Sequence, residues 1–147
     1  MSEQDEATMT KEFNEFNRNL IEEFRANNGK VGGMFEGAPL LLLTTTGAKT
    51  GEARVVPLAY TKDGDHFVII ASKGGAASHP DWYHNLGANP EVAVEVGSEK
   101  FPARATIQQG DERKRLFDQM SAKMPNFAEY QRNTRREIPV IVLDRLQ

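Results

Sequence analysis

Cysteine is absent from the 147-residue sequence. This absence excludes a disulfide framework, a thiolate nucleophile and a zinc site built from cysteines. An excess of basic charge is missing too, because the formal net charge is −3 at pH 7. An acidic chain lacks the positive surface that nucleic-acid binding requires, so any anion-binding site must be local. His79 and His84 have no third ligand near them in the sequence, and we predict no metal site.

A long hydrophobic run is also lacking. The longest apolar run near the centre, Ala38 to Leu43, is far shorter than the roughly 20 residues of a membrane-spanning helix. The N-terminal MSEQDEATM does not show the basic-then-apolar pattern of a signal peptide. We therefore expect a cytoplasmic protein with at most a peripheral contact with the inner face of the cell membrane. The length fits one domain, which we place at residues 10–147 after a disordered segment 1–9.

An amphipathic helix is predicted near the N-terminus. Its apolar side chains recur at helical spacing opposite a polar face, and they are Phe13, Phe16, Leu20, Ile21 and Phe24. The favoured interpretation is that this stripe covers a sheet. The alternative is a lid or a contact with a membrane surface.

Strand patterns dominate the rest of the chain. The run LLLLTTT predicts a first strand, and residues 53–61 and 66–72 predict two more, joined by a hairpin turn. Alternating apolar residues predict an antiparallel pair within 92–107, and IPVIVLDRL predicts a last strand. Helical patterns follow Pro80, Asp111 and Pro125. About six strands without regular βα alternation indicate a mainly β, α+β fold, a small closed or half-closed barrel with helices outside.

The loop TTTGAKTGEAR is the first candidate site. Gly47 and Gly51 permit unusual backbone angles, and Lys49 and Arg54 place positive charge at both ends of the loop. The Walker pattern is not met, because Ala48 stands where a glycine is required, and this argues against a nucleotide triphosphatase. The motif alone supports an anion cradle and an exposed hairpin loop with a solvated lysine equally well.

Two further segments complete the candidate site. Pro57 cannot donate a hydrogen bond to a ladder, so it marks an edge strand or a bulge whose backbone is free to face a ligand. Ser72 begins a loop of small residues that either lets a planar ring approach the main chain or is a flexible connection. The segment HPDWYHN places the only tryptophan on a short helix, where its aromatic residues either plug the barrel end or contact a ligand.

Other chemistries find little support. No serine lies in a G-x-S-x-G motif, so hydrolase activity has no positive indication. The basic residues near the C-terminus are expected on a solvated face, and they are Arg132, Arg135, Arg136 and Arg145.

Taken in order along the chain, LLLLTTTGAKTGEARVVPLAY, HFVIIASKGG, HPDWYHNLGANP and IPVIVL resemble the deazaflavin-dependent nitroreductase family of actinobacteria, within the flavin/deazaflavin oxidoreductase superfamily. The resemblance covers roughly residues 13–145. It implies a six-stranded antiparallel split β-barrel like that of FMN-binding proteins. It also implies coenzyme F420 as the cofactor, a deazaflavin with a phosphate and an acidic tail, and no metal.

The resemblance assigns roles to individual residues. The phosphate and tail would be held by Ala48, Lys49, Thr50 and Arg54. The ring would be lined by Val55, Val56, Pro57, Leu58 and Ala59, and faced from a neighbouring strand by Ile70, Ala71, Ser72 and Lys73. Its other side would be closed by Asp81, Trp82, Tyr83, His84 and Asn85. The catalytic candidates are Ser72 and Tyr130, with Tyr130 as the expected proton donor or orienting group.

The activity implied by the resemblance is reduction of a quinone, enone or nitroaromatic compound by hydride from reduced coenzyme F420. Family members that reduce bicyclic nitroimidazoles carry several tyrosines before the last strand. Here Phe127 and Asn133 flank Tyr130, which favours quinone or activated-alkene reduction. Two alternatives are a deazaflavin-storage protein without turnover and an FMN-dependent oxidase of the same fold. The sequence does not distinguish a monomer from a homodimer.

Overall fold

The computed structural model describes residues 3–33, 37 and 39–146. These residues form seven strands, namely β1 (Leu40–Thr46), β2 (Ala53–Ala59), β3 (Thr61–Asp63), β4 (His66–Ile70), β5 (Glu91–Val96), β6 (Glu99–Gln108) and β7 (Val140–Arg145). They also form four α-helices, namely α1 (Glu3–Ala26), α2 (Asp81–Ala88), α3 (Gly110–Lys123) and α4 (Asn126–Arg132). A short 3-10 turn covers Lys73–Gly75. Within the described ranges, no helix is long and apolar enough to cross a membrane.

The strands form one sheet in the order β2-β1-β5-β6-β7-β4-β3, and every neighbouring pair is antiparallel. The sheet curls into a half-barrel with the helices packed on it. The predicted antiparallel, mainly β architecture is therefore confirmed. The predicted number of six strands is wrong, because the described chain forms seven.

The additional strand arises from a break at Tyr60. The sequence predicts one strand over residues 53–61, but the ladder of β2 with β1 ends where Ala59 faces Leu40. The Tyr60 N–H then donates to the carbonyl of Pro39 at 3.0 Å. From Thr61 onward the chain pairs with β4 instead. Only this short part of the predicted hairpin exists, and β2 and β4 are not paired with each other.

Helix α3 supplies the contacts that hold β3 in place. Side chains at i, i+4 and i+8 lie on one face of a helix, and here they are Arg115, Gln119 and Lys123. Arg115 binds both carboxylate oxygens of Asp63 at 3.1 and 2.8 Å. Gln119 donates to the Lys62 carbonyl at 2.8 Å, and Lys123 donates to the Thr61 hydroxyl at 3.1 Å. Each residue of β3 is therefore bonded to α3, which draws the chain out of line with β2.

Strand β1 is buried on both faces. Leu41 and Leu43 belong to the core inside the curled sheet, and Leu40 and Leu42 belong to a second cluster beneath α1. Because successive side chains of a strand point to opposite faces, burial of both faces explains an unbroken run of leucines. Strands β4 and β7 are shared in the same way between the inner core and a third cluster under α3 and α4.

Helix α1 packs on the outer face of β1 with its C-terminal half. Leu20 and Phe24 are 8% and 2% exposed, which confirms for these residues that the apolar stripe covers the sheet. Phe16 is 44% exposed, and the side chain of Phe13 lies outside the described residues. The helix begins at Glu3, within the segment 1–9 for which the sequence predicts disorder, and residues 1–2 are not described.

Two contacts fix the C-terminal end of α1 on the β5–β6 hairpin. Arg25 binds both carboxylate oxygens of Glu95 at 3.0 and 2.8 Å, and this contact raises the pKa of Arg25. Beyond the helix, a Cβ on Gly29 would lie only 2.7 Å from the Cα of Gly97. The backbone at Gly29 also has a φ of +88°, which disfavours any side chain.

We expect Gly29→Ala to destabilise the protein by about 2 to 5 kcal/mol, because a methyl group adds the clash with Gly97 to the cost of a positive φ. Gly64→Ala is the matched control, since Gly64 has a φ of +61° but nothing within 4 Å of an added Cβ. The control should lose only about 1 to 2 kcal/mol. Urea unfolding of both variants measures the difference, and equal losses would contradict a constraint from the Gly29–Gly97 contact.

Candidate functional site

The predicted anion loop is a tight turn between β1 and β2. The Gly47 N–H donates to the Glu52 carbonyl at 2.7 Å, and the Gly51 N–H donates to the Gly47 carbonyl at 2.9 Å. The Thr50 hydroxyl accepts the Glu52 N–H at 3.2 Å. A Cβ on Gly47 would lie 2.7 Å from that hydroxyl oxygen, so the turn requires glycine at this position. Lys49 at the tip is exposed.

The two cations of the loop are accessible to an anion. Arg54 forms an ion pair with Glu52 at 3.3 Å, but the two side chains are 60% and 68% exposed. A pair this exposed contributes little and can be exchanged for a more highly charged partner. Among the described residues, none forms an ion pair with Lys49.

Helix α2 is bonded directly to this loop through Asn85. The side-chain carbonyl of Asn85 accepts the Ala48 N–H at 3.0 Å, and its amide group donates to the Thr45 hydroxyl at 3.3 Å. Thr45 is only 1% exposed. Because a buried hydroxyl needs a hydrogen-bond partner, the bond from Asn85 satisfies the Thr45 hydroxyl. At the end of the helix, Asn89 donates to the Thr46 carbonyl at 3.5 Å. The structure thus brings together two segments that the sequence separates by more than thirty residues.

The segment after β4 forms a compact loop against α2 and α4. Ile70, Ala71 and Ser72 are buried. Lys73 adopts a φ of +47°, which is uncommon for a residue with a side chain, and its ammonium group donates to the Ser78 hydroxyl at 3.3 Å. A Cβ on Gly75 would lie 2.9 Å from the carbonyl oxygen of Tyr130, so the loop packs directly on α4.

Arg136 holds this loop, which corrects the expectation that the C-terminal arginines all lie on a solvated face. Its guanidinium donates to the carbonyls of Ala71, Ser72 and Ala76 and contacts Nδ1 of His79. Burial lowers the pKa of Arg136. Composition could not separate it from Arg132 and Arg135, which are exposed. The only sequence signal is its position just before the last strand.

The predicted catalytic residues lie on adjoining segments. Ser72 is 8% exposed and follows β4. Tyr130 lies on α4, and Gly75 of the 71–76 loop packs on the backbone of Tyr130. The Tyr130 hydroxyl accepts a hydrogen bond from the Asn126 side-chain amide at 3.1 Å. Because that amide group only donates, the proton of the Tyr130 hydroxyl is left for another acceptor.

The aromatic residues of α2 are divided between the core and the surface. Trp82 and Tyr83 are half-buried and pack against the inner core, whereas His84 and Asp81 are exposed. The His79 ring lies 4.6 Å from the Tyr83 ring and 5.9 Å from the His84 ring. Burial lowers the pKa of His79, and the charges of Arg136 and His84 lower it further. His79 is therefore neutral at pH 7 and accepts a hydrogen bond from Arg136.

The residues predicted on β2 do not share one face. Val56 and Leu58 pack against the inner core, whereas Val55 and Ala59 pack against the cluster beneath α1. Pro57 lies on an edge strand, as its missing N–H predicts. The expectation that β2 and the 70–73 segment lie on neighbouring strands is wrong, because the break at Tyr60 moves β2 to the other end of the strand order.

An open groove of about 640 Å³ lies at this break and includes none of the predicted site residues. It is lined by Gly37, Pro39, Tyr60, Thr61, Lys62, Lys123 and Met124. The sequence analysis did not find it, because the groove is created by the bend between β2 and β3 and not by a local motif.

The chain matches one protein family over most of its length. The profile of the F420H2-dependent quinone reductase family matches residues 16–145. An F420H2-dependent quinone reductase of Mycobacterium tuberculosis strain H37Rv is 45% identical over 126 residues, which is 83% of this chain and 85% of the relative.

Two solved structures are similar as well. One is described as an F420-H2 dependent reductase, with 41% identity and a TM-score of 0.67, over 72% of this chain and 94% of that structure. The other is described as a domain-swapped dimer, with 35% identity and a TM-score of 0.70, over 97% of this chain and 100% of that structure.

We expect Asn85→Ala to release the 47–52 loop from α2 and to cost about 1 to 2 kcal/mol, because the buried Thr45 hydroxyl loses its partner. Amide hydrogen exchange at Ala48, followed by NMR, should become faster. Asn89→Ala is the control, since its side chain donates to the Thr46 carbonyl at the end of β1 through a longer, exposed bond and does not reach Ala48. Equal exchange at Ala48 in the wild type and Asn85→Ala would show that Asn85 does not hold the loop.

Proposed function

The chain belongs to the F420H2-dependent quinone reductase family, and from this premise we propose that the 47–52 loop, helix α2 and the 71–76 loop together form its cofactor site. The observation that carries the proposal is the bond between Asn85 and the Ala48 N–H. It places the cationic loop beside the aromatic helix, so one ligand with an anionic tail and a flat ring can reach both.

The donors available in these segments fit coenzyme F420. Lys49 and Arg54 supply exposed positive charge, and internal hydrogen bonds of the Gly47 turn hold the loop that carries Lys49 in a fixed shape. A phosphate and a poly-acidic tail need such charge-assisted bonds, whereas the overall charge of the protein would repel them. We assign Ala48, Lys49, Thr50 and Arg54 to the phosphate and tail.

For the ring, we propose contacts from segments with different roles. Of the half-buried run from Val55 to Ala59 on β2, the residues on the inner-core face, Val56 and Leu58, would lie along one side. Residues 70–73 would offer mainly backbone and the Ser72 side chain. Helix α2, from Asp81 to Asn85, would close the remaining side with Trp82 and Tyr83. These apolar walls would exclude water from the reacting atoms, which hydride transfer requires.

Reduction of a quinone to a hydroquinone consumes one hydride and one proton in total, and the bound reduced cofactor supplies the hydride. The protein must hold the acceptor about 3 to 3.5 Å from the donor carbon and provide the proton. We propose Tyr130 as the proton donor or orienting group, because its hydroxyl accepts from Asn126 and keeps its own proton available. Ser72, across the loop contact, would orient the acceptor.

The family favours this function over the two alternatives. Its members are named as F420H2-dependent quinone reductases, which are enzymes and use F420. Enones and nitroaromatic compounds are further acceptors to test. We infer a cytoplasmic location, and contact of α1 with a membrane surface stays a prediction.

One solved relative is described as a domain-swapped dimer, and we propose a homodimer for this chain. Light scattering on the purified protein measures the assembly directly. A single species with the mass of one chain would contradict a dimer.

The first test of function is a fluorescence titration with oxidised F420, with FMN as competitor. We expect selective F420 binding, followed by quinone-dependent oxidation of the reduced cofactor. Preference for FMN would contradict the cofactor assignment. Selective F420 binding without turnover of quinones, enones or nitro compounds would favour a storage role.

We expect the double variant Lys49→Ala/Arg54→Ala to bind F420 roughly tenfold or more weakly at low salt, because it loses charge-assisted bonds to the tail. The loss should shrink as salt screens these exposed charges. Lys30→Ala/Lys100→Ala is the control, since both lysines are exposed outside the loop and the same two charges are removed. Equal Kd values for the two double variants would remove the anion-loop assignment.

A further inference from the structure

Arg136 bonds to the 71–76 loop and to His79 just beyond the end of the β4–β7 ladder, which closes with the bond from the Ala71 N–H to the Pro139 carbonyl. Its Nε donates to the Ala76 carbonyl at 2.8 Å and its Nη2 to the Ser72 carbonyl at 2.7 Å. Its Nη1 lies 3.2 Å from the Ala71 carbonyl and 2.9 Å from Nδ1 of His79. One guanidinium therefore bonds both ends of the 71–76 loop and also His79, which is separated from the start of α2 only by Pro80.

The loop that Arg136 holds contains a residue in an unfavourable backbone conformation. Lys73 has a φ of +47°, a conformation that costs free energy for a residue with a side chain. Such conformations persist only where surrounding contacts determine them. The carbonyls of Ser72 and Ala76, which flank Lys73, both accept from Arg136.

Arg136 is itself fixed from behind. Gln131 of α4 donates to the Arg136 carbonyl at 2.8 Å and accepts from the Ile138 N–H at 2.9 Å. Within the described residues, no carboxylate forms an ion pair with Arg136. Its charge is therefore balanced by carbonyl dipoles of the loop, and a lysine cannot reproduce this planar set of donors.

We propose that Arg136 is a positioning residue of the site, which fixes the 71–76 loop against α2 through its contact with His79. This inference rests on the proposed function, because the loop carries Ser72 and Lys73 and the helix carries Trp82 and Asn85. The connection continues from His79 through the Tyr83 ring to α2, and from Asn85 to the Ala48 N–H. Arg136 would act on the cofactor site through the 71–76 loop and α2, without itself contacting the cofactor or the acceptor.

We call the contacts of Arg136 with the 71–76 loop and with His79 the clamp. Its contact with His79 depends on the protonation state of that ring. Nδ1 accepts from Arg136 only while it carries no proton, and a protonated ring would place a second positive charge beside the guanidinium. The groups that face the His79 ring are Arg136, Tyr83 and His84. Lys73 lies in the 71–76 loop, and its ammonium group bonds to Ser78, next to His79. The pKa of His79 is lowered in the folded protein from its ordinary value of 6.5. The clamp is thus complete above pH 6.5 and is lost as the pH falls through the lowered pKa.

Arg136→Lys and His79→Phe test the proposal. His79→Phe keeps an aromatic ring beside Tyr83 and removes both the acceptor and the titration. In the protein without cofactor, we expect faster amide exchange at residues 72–76 in both variants. In the wild type, the NMR shifts of those amides should titrate together with the His79 ring, and this shared midpoint should be absent from His79→Phe.

The F420 titration tests the link to the site. We expect Arg136→Lys to bind oxidised F420 about tenfold more weakly at pH 7.5. Wild-type affinity should fall with His79 protonation, whereas the affinity of His79→Phe should not follow that titration. Quinone turnover by Arg136→Lys at saturating cofactor should show a lower kcat with KM for the quinone little changed, because a displaced loop alters how Ser72 orients the acceptor more than how tightly the acceptor binds.

Arg25→Lys is the matched control. Arg25 binds both carboxylate oxygens of Glu95 and fixes α1 on the β5–β6 hairpin, and these hydrogen bonds reach neither the 71–76 loop nor Gln131. This variant should lower Tm while retaining the F420 affinity and the titration of the loop amides. A loss of F420 affinity equal to that of Arg136→Lys would reduce Arg136 to a general stabilising role and overturn the proposal.

The outcomes separate this inference from the proposed function. Wild-type protein that binds no F420, with loop amides that still respond to Arg136→Lys and to His79 titration, would refute the proposed function and retain the clamp. Loop amides that are unchanged in Arg136→Lys would refute the clamp, whatever the cofactor affinity.

Discussion

Burial of β1 on both faces is the constraint on which the rest of the structure depends. Its four leucines alternate between the inner core and the cluster beneath α1, so this one strand joins the curled sheet to its helical cover. Burying four large apolar side chains contributes on the order of 6 to 12 kcal/mol before the cost of ordering the chain. The strand can therefore hold the cationic loop at its end in a fixed position, although the loop itself is exposed.

The candidate site follows from what is attached to this frame. Loops that bind charged ligands are exposed, and they are positioned by their contacts with the rigid scaffold. Here Asn85 fixes the 47–52 loop and Arg136 fixes the 71–76 loop. Helix α2 lies between these two contacts. The three segments thus form one unit in which a shift of α2 would move both walls of the site.

The bend at Tyr60 has the opposite effect, since it separates segments that follow one another in the sequence. Because β2 and β3 form the two edges of the sheet, the chain itself connects the edges that a barrel must bring together. The bond between Lys123 and Thr61 holds the far side of the bend. An open groove results at this position, beside the third apolar cluster to which Tyr130 belongs.

The sequence by itself determined those strands and turns whose structure depends on residues close together in the chain. The leucine run of β1, the alternation in β5 and β6, the glycine turn at residues 47–51 and the edge position of Pro57 all follow from period, propensity and missing donors. The ordered motifs also determined the family.

Only the tertiary structure decided contacts between distant residues. The bond of Asn85 to Ala48 and the clamp of Arg136 depend on which loops meet, and an arginine in a basic cluster carries no local sign of burial. The break at Tyr60 could not be predicted from the sequence, because it too depends on contacts between distant residues. Local propensity predicts one strand over residues 53–61. The structure has two strands there, β2 and β3, and β3 is bonded to side chains of α3 that lie more than fifty residues later in the chain.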